Sequence, residues 1–310
     1  MTECERIVRE GILPPSFFEE ETICDFLVTK ERKKLWAILI DLLKQVNRIC
    51  QKYHLKYTAL GGTLLGAVRH GGFIPWDDDL DIGMPRADFD KFMEVAPKEL
   101  RKPYYLQIPG NDYDYFYAFT KLRNSNTTAY SPCFRYCKHN QGIFLDIFPL
   151  DNCEISIINE DFKSMNNLIL ENSANMRRTN PFPSTRDIEK IQKYEARNPY
   201  TVLSELNEII MKANDYSSEY CIITGCTVYP PHRLTYRWED ILDLIDVDFY
   251  GHKIKIPRNA NKILAIAFGE DFMQFPPIEE RGAWHQAIIF NPDCPYTDSL
   301  KNVIAQEERR

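Results

Sequence analysis

The sequence predicts an α+β protein with a mixed-sheet core and a largely helical C-terminal elaboration. Three observations carry this. Leu35, Leu39, Leu42, Val46, Ile49 and Tyr53 recur at helical spacing. Short apolar runs bounded by glycine, proline and polar residues fill the stretch from Leu55 to Phe148 and read as strands. Beyond Asp151 the pattern becomes helical to about Ala213.

The elements follow in order. Residues 1–29 carry Pro14-Pro15 and mixed polarity, and are expected to form an arm on the surface. Thr29 is placed to cap a helix from about Lys30 to Tyr53. Leu55–Leu60 reads as a strand. Gly61-Gly62-Thr63 turns the chain into a short helix through Leu64, Leu65, Ala67 and Val68, which Gly71-Gly72 ends. Leu80–Met84 is a second strand, and Pro85 opens a helix at a position where its missing N–H costs nothing. Tyr104–Ile108, Tyr115–Leu122 and Gly142–Phe148 are three further strands. A hairpin over Val247–Ile256 and a helix over Asn259–Phe268 close the pattern. The expected organisation is an arm (1–29), a catalytic core (30–151) and an elaboration (152–310) packed on it as one unit.

Composition sets limits on function. The chain has 310 residues, 44% of them hydrophobic, enough for a sizeable core. A net charge of −7 argues against the basic stripe of a nucleic-acid-binding surface. Nine scattered cysteines and no apolar leader segment read as reduced thiols in a cytoplasmic protein. No apolar run reaches membrane-spanning length, so membrane contact is expected to be at most peripheral, at the inner face.

The densest chemical signal is Trp76-Asp77-Asp78-Asp79-Leu80-Asp81-Ile82. In a strand, Asp79 and Asp81 point to one face and Leu80 and Ile82 to the other, with the carboxylates about 6–7 Å apart. Such a pair repels itself unless a cation sits between its members. Mg²⁺, a hard ion that prefers oxygen ligands and keeps bonds to substrate phosphates, fits, and Mn²⁺ is the alternative. A solvated acidic turn explains Asp77 and Asp78 easily, but Asp81 poorly, because Asp81 lies within an apolar pattern. Asp146 interrupts the apolar strand Gly142–Phe148, and a buried charge needs a partner. That partner is either an Arg or Lys elsewhere or the same metal site.

Gly61, Gly62 and Thr63 stand where a strand gives way to a helix, a place where backbone N–H groups cradle phosphate. Arg69, Lys121 and Arg123 are candidate phosphate ligands. His70 is a candidate proton shuttle or an ordinary polar loop residue.

These residues carry a family resemblance. Gly61 to His70, followed by Gly72-Phe73-Ile74-Pro75-Trp76-Asp77-Asp78-Asp79-Leu80-Asp81-Ile82, resembles the signature of the LicD family. Asp146 to Asp151 resembles its second block. Phe249-Tyr250-Gly251, Ile256-Pro257 and Phe268 to Pro277 resemble its third. The resemblance runs over about residues 30 to 290, and fukutin-like proteins share the core. It implies a nucleotidyltransferase-type fold, with Asp79, Asp81 and Asp146 as metal ligands or, for Asp146, as general base. Sixteen residues separate Gly62 from Asp79, more than is usual in that superfamily; the extra segment is the family's own loop.

The resemblance also implies a chemistry: phosphocholine moves from CDP-choline to a sugar hydroxyl of a glycan or lipid-linked glycan, such as a teichoic acid or lipopolysaccharide precursor, and CMP leaves. Ribitol phosphate from CDP-ribitol, nucleotide addition by the same fold, and a non-catalytic scaffold are the alternatives. Choline would need an aromatic cage, for which Trp76, Tyr113, Tyr115, Phe116 and Tyr117 are candidates. Fukutin-like relatives can carry zinc, which directs attention to Cys133, Cys137, His139 and Cys153; the Cys-x₃-Cys spacing lacks a clear second ligand pair, and ordinary thiols are the expectation.

Overall fold

The computed structural model describes residues 1–110, 112–156, 158–214, 217–226, 229–282 and 288–309. Thr2 opens helix α1 (Glu3–Arg9) with a reciprocal cap: its hydroxyl accepts from the Glu5 N–H, and the Glu5 carboxylate accepts from the Thr2 N–H. A hairpin of β1 (Glu21–Ile23) and β2 (Phe26–Val28) follows. The N-terminal segment is therefore structured, and it buries Cys4, Ile7, Ile12, Leu13 and Val28 in the main core. Helix α2 (Lys30–Tyr53) begins where its spacing predicts, with the Thr29 hydroxyl accepting from the Arg32 N–H.

The middle of the chain alternates strands and helices. These are β3 (Thr58–Ala59), α3 (Gly61–Arg69), β4 (Asp81–Pro85), α4 (Arg86–Glu99), β5 (Tyr104–Gln107), β6 (Thr120–Asn124), β7 (Thr128–Tyr130) and β8 (Ile143–Asn152). The remainder holds α5 (Ile158–Arg177), α6 (Thr185–Gln192), α7 (Pro199–Asn214), β9 (Tyr220–Ile223), β10 (Thr235–Arg237), α8 (Trp238–Ile241), β11 (Leu244–Phe249), β12 (His252–Pro257), α9 (Ala260–Phe268), β13 (Ile289–Asn291) and α10 (Tyr296–Glu307).

Strand β8 organises a curled, mixed sheet of seven strands. On one edge it pairs with β4 in parallel, and β3 lies beyond β4. On the other edge its first half pairs antiparallel with β6, flanked by β5, and its last residues pair with β9, flanked by β10. Its side chains alternate. Ile143, Leu145 and Ile147 are fully buried on one face, and α2 packs on this strand. Phe144, Asp146 and Phe148 lie on the other face and line a cleft.

Several expected bounds shift. The strand expected over Tyr115–Leu122 begins only at Thr120, because Tyr115 closes a turn with Asp112 and bonds its hydroxyl to the Phe119 carbonyl. Only Thr58 and Ala59 of the expected Leu55–Leu60 strand join the ladder. The chain beyond 151, expected to be helical apart from one hairpin, also supplies β9 and β10 to the main sheet and β13 to β7. These strands are three or four residues long, too short for a periodicity to show. Among the described residues, no helix is long and apolar enough to cross a membrane.

Candidate active site

Sheet register gathers the chemistry. Asp81 on β4 stands opposite Asp146 on β8, and Asp146 stands opposite Lys121 on β6. Paired residues on neighbouring strands project to the same face, so the three side chains form one row across the sheet. Arg123 and Phe144 form the next row on one side. Phe119 and Phe148, stacked at 4.5 Å, lie on the other.

The row is charged and enclosed. Lys121 Nζ donates to both oxygens of Asp146, at 2.6 and 2.8 Å, and sits 3.5 Å above the Phe144 ring. Both members of the pair are buried. Burial pushes the Lys121 ammonium down to about 8, against the pull of Asp146. Lys121 thus answers which partner the charge of Asp146 finds: it is an ion-pair partner first. Arg123, also buried, spends its donors on Gln107 Oε1 and the Gly142 carbonyl, both at 2.6 Å.

The acidic loop comes down on the same row. Strand β4 begins at Asp81, so Asp79 lies outside the ladder and strand alternation does not bring it to Asp81. The loop does so instead. Carboxylate oxygens of Asp77, Asp78 and Asp79 lie within 4.8 Å of one another. Burial, and then the charges of Asp79, Asp146 and Asp77, hold the Asp81 carboxyl well above the usual range. Burial and the charge of Asp79 do the same for Asp77. The acidic turn is not solvated: Asp77 and Asp78 are buried, and Asp77 lines the cleft. Its carbonyl is fixed by Arg32 Nη1 at 2.6 Å and Trp36 Nε1 at 3.2 Å. Those two donors sit on α2, 41 or more residues away, which is why no local pattern marks Asp77 out.

The glycine turn meets these carboxylates closely. Gly61 has φ +49°, in the left-handed region, and a Cβ there would lie 3.8 Å from Asp81 Oδ2. At Gly62 a Cβ would lie 2.6 Å from Asp77 Oδ2, so the carboxylate could not stay where it is. Thr63 is buried behind the turn, and its hydroxyl accepts the Asp81 N–H at 2.8 Å. Thr63 therefore holds β4 against α3.

The cleft above this floor measures about 1150 Å³, ample for a large small-molecule ligand. Among the described residues its walls include Gly61, Gly62, Arg69, Trp76, Asp79, Asp81, Lys121, Arg123 and Asp146. Arg69 Nη1 donates to the carbonyls of Phe272 and Gln274, fastening the segment after α9 as one wall. His70 packs behind that wall, stacked on Phe275 at 5.5 Å and edge-on to Trp76 at 5.9 Å. Its ring nitrogens are buried and have no hydrogen-bond partner among the described residues, and burial, helped by Arg69, pushes its pKa down to about 4. His70 is thus neutral at physiological pH, with no proton path through a bonded neighbour.

The expected aromatic run disperses. Tyr113 is 73% exposed, Tyr115 is fully buried, and Phe116 packs with Cys137 and Met176. Tyr117 lines the cleft, as does Trp76, with Arg69 and Arg281 over its ring at 6.0 and 5.0 Å. The cysteines also part company. Cys133 bonds to Ser131, Cys137 to Thr179 and the Met176 carbonyl, and Cys153 lies by Cys221. His139 turns Nδ1 to the Asp114 carbonyl.

Residues 54–177 match the domain described as LicD/FKTN/FKRP, nucleotidyltransferase domain. The chain carries a LicD-family domain. That stretch runs from the end of α2 to the end of α5 and holds Asp77, Asp79, Asp81, Lys121 and Asp146. It is narrower than the range of about 30 to 290 expected from the motifs, and the block from Phe249 to Pro277 lies outside it.

The chain is similar to the lipopolysaccharide cholinephosphotransferase LicD of Haemophilus influenzae, 39% identical over 70 residues, covering 23% of this chain and 26% of that protein. It is 45% identical over 80 residues to an uncharacterized protein of Rickettsia prowazekii, covering 25% and 30%. It is 41% identical over 46 residues to the ribitol 5-phosphate transferase FKRP of Homo sapiens, covering 15% and 9%. The chain thus spans about a quarter of the length of the LicD-family cholinephosphotransferase it matches.

Proposed function

We propose that this LicD-family chain is a metal-dependent phosphotransferase with a nucleotidyltransferase-type fold. It moves phosphocholine from CDP-choline to a sugar hydroxyl of a glycan precursor, of the teichoic acid or lipopolysaccharide type, and releases CMP. The observation that carries this reading is the gathering of acids on the cleft floor: Asp77, Asp78 and Asp79 cluster in the loop, and Asp77 and Asp81 lie close against the glycine turn.

The donor set fits a hard divalent ion. The carboxyls of Asp77 and Asp81 are raised by burial and by one another's neighbours, a strain that a cation among oxygen ligands relieves. Asp77, Asp79 and Asp81 would hold Mg²⁺ or Mn²⁺. When bound, the ion offsets negative charge on the donor's phosphates as the bond to CMP breaks.

The chain's own groups do the rest. Gly61 and Gly62, the first residues of α3, line the cleft, and the N–H groups of this helix start would donate to phosphate oxygens. The acceptor hydroxyl oxygen forms its bond to the phosphorus of the phosphocholine unit while the phosphorus–oxygen bond to CMP breaks. The hydroxyl proton passes to Asp146, which Lys121 holds in place beside Asp81. No covalent enzyme intermediate is required, because phosphoryl transfer is mostly positioning and charge stabilisation.

A second reading, ribitol phosphate from CDP-ribitol, draws on the similarity to FKRP. Incubation with each donor and a hydroxyl acceptor, with CMP as the readout, separates the two. CMP from CDP-ribitol and none from CDP-choline overturns the phosphocholine reading. Asp81→Ala should abolish turnover with little change in melting temperature, and an active Asp81→Ala protein would overturn the metal assignment.

A further inference from the structure

We infer that Phe148, Tyr117 and Phe119 form the subsite for the quaternary ammonium head of the transferred group, and so set which phosphoalcohol the cleft accepts. The inference rests on the phosphotransferase reading above and specifies where that reading's substrate is recognised.

The sheet supplies the distance. Asp146 and Phe148 are two residues apart on β8, which separates them by about 6–7 Å along the strand, on one face. A phosphocholine unit whose phosphorus lies over the Asp81–Asp146 row has its nitrogen four bonds away, roughly 5 Å when extended. The nitrogen therefore arrives over the aromatic row next to the carboxylates. There Phe119 and Phe148 stack at 4.5 Å, and Tyr117 leans on Phe119 at 5.3 Å. All three line the cleft.

Most other aromatic faces in the cleft are already occupied by cations. Phe144 carries Lys121 and Arg123 at 3.5 and 4.9 Å. Trp76 and Phe275 carry Arg69 and Arg281. Phe134 carries Arg177 at 4.8 Å, and Phe119 shares Lys121 at 5.0 Å. Among the described residues, no cation sits over Phe148 or Tyr117. Both lie in the cleft, partly exposed, next to the carboxylate row.

The chemistry of this corner selects. A trimethylammonium group donates no hydrogen bonds and is held by ring faces. A polyol there would press its hydroxyls against Phe119 and Phe148, which offer them no partner, and unpaired buried hydroxyls are costly. A primary ammonium would lose hydration for the same rings. The subsite thus favours a methylated amine over both.

Isothermal titration of the full chain in Mg²⁺ tests this, with CDP-choline, CDP-ethanolamine, CDP-ribitol and tetramethylammonium chloride as titrants. The wild-type chain is expected to bind CDP-choline about tenfold tighter than CDP-ethanolamine, a typical effect of a desolvated ring face on a cation. Tetramethylammonium should compete with CDP-choline. Phe148→Leu, which keeps an apolar filler, should erase the tenfold preference and the competition by weakening CDP-choline far more than CDP-ethanolamine. Phe148→Tyr should restore both. Tyr117→Leu serves as the second variant if Phe148→Leu does not fold. A preference for CDP-choline that survives in both leucine variants overturns the subsite and leaves the phosphocholine reading standing. A chain that binds CDP-ribitol and not CDP-choline overturns both.

Discussion

Replacing Lys121 with methionine isolates the electrostatics of the cleft floor. The side chains of Lys121 and Asp146 are each 9% exposed, and Nζ reaches both carboxylate oxygens. Removing one partner of such a pair leaves the other as an uncompensated buried charge, which typically costs about 3–5 kcal/mol. The neighbourhood makes this worse: Asp81 stands beside Asp146, and the charge of Lys121 also eases Asp81. A loss of this size is a large part of the roughly 5–15 kcal/mol that holds an ordinary domain together. With a urea slope of about 3 kcal/mol/M for a chain of this size, the unfolding midpoint should fall by 1 M or more.

The pH dependence has a definite sign. Burial holds the Lys121 ammonium down to about 8, so above that value the folded state binds fewer protons than the unfolded one, and the contribution of Lys121 to stability rises with pH up to the ordinary lysine range. The deficit of Lys121→Met should therefore be larger at about pH 10 than at about pH 7. Replacing both partners, as Lys121→Met with Asp146→Leu, should recover most of the lost stability, because an apolar pair of similar volume replaces two buried charges at little cost. Urea unfolding of wild type, both single variants and the double variant closes the cycle. A Lys121→Met chain within about 1 kcal/mol of wild type at pH 8, or a double variant whose loss is the sum of the singles, refutes the reasoning.

Three further outcomes follow from the same site. Asp77→Asn should lower CMP release at least about 100-fold while leaving the melting temperature equal or higher, since it removes one of the mutually repelling carboxylates; full activity would return Asp77 to a bystander role. His70→Phe should keep activity within about twofold and hold or raise stability by about 1 kcal/mol, because the imidazole it replaces has two buried, unpartnered nitrogens; a large loss of turnover would restore a proton-shuttle role. Mg²⁺ should raise thermal stability more at pH 8 than at pH 5. The raised carboxyls of Asp77 and Asp81 mean that the folded state holds more protons than the unfolded one above the ordinary carboxylate range, so their contribution falls as pH rises, and a bound cation replaces those protons. An equal gain at both pH values contradicts that linkage.

What could be read in advance divides along physical lines. Helix α2 was legible because six apolar residues at helical spacing and a Thr cap act locally. Asp146 was legible as a charge in an apolar strand, but its partner was not. Lys121 and Asp146 meet only because β6 and β8 pair in one particular register, 25 residues apart in sequence. The same holds for Asp77, placed by Arg32 and Trp36 from α2. The aromatic run from Tyr113 to Tyr117 misled because composition does not say which ring a loop turns inward. Phe119 and Phe148 were missed as a pair for the same reason as Lys121 and Asp146: their stacking is a property of sheet order.

The floor of the cleft shows how one strand can serve packing and chemistry together. β8 must bury Ile143, Leu145 and Ile147 on one face to seat the sheet on its helices. Alternation then forces Phe144, Asp146 and Phe148 onto the other. An acid in that position is costly unless neutralised, and Lys121 neutralises it from the neighbouring strand. The loop acids are placed differently: burial raises Asp77 and Asp81, Arg32 lies near Asp77 and Asp78, and Lys121 is the cation among the leading influences on Asp81. The two halves of the row thus differ in kind. Asp146 is paired by the chain itself, which fits the base role proposed for it. Asp77 and Asp81 keep carboxyls raised by burial and by neighbouring acids, which fits the cation site proposed there.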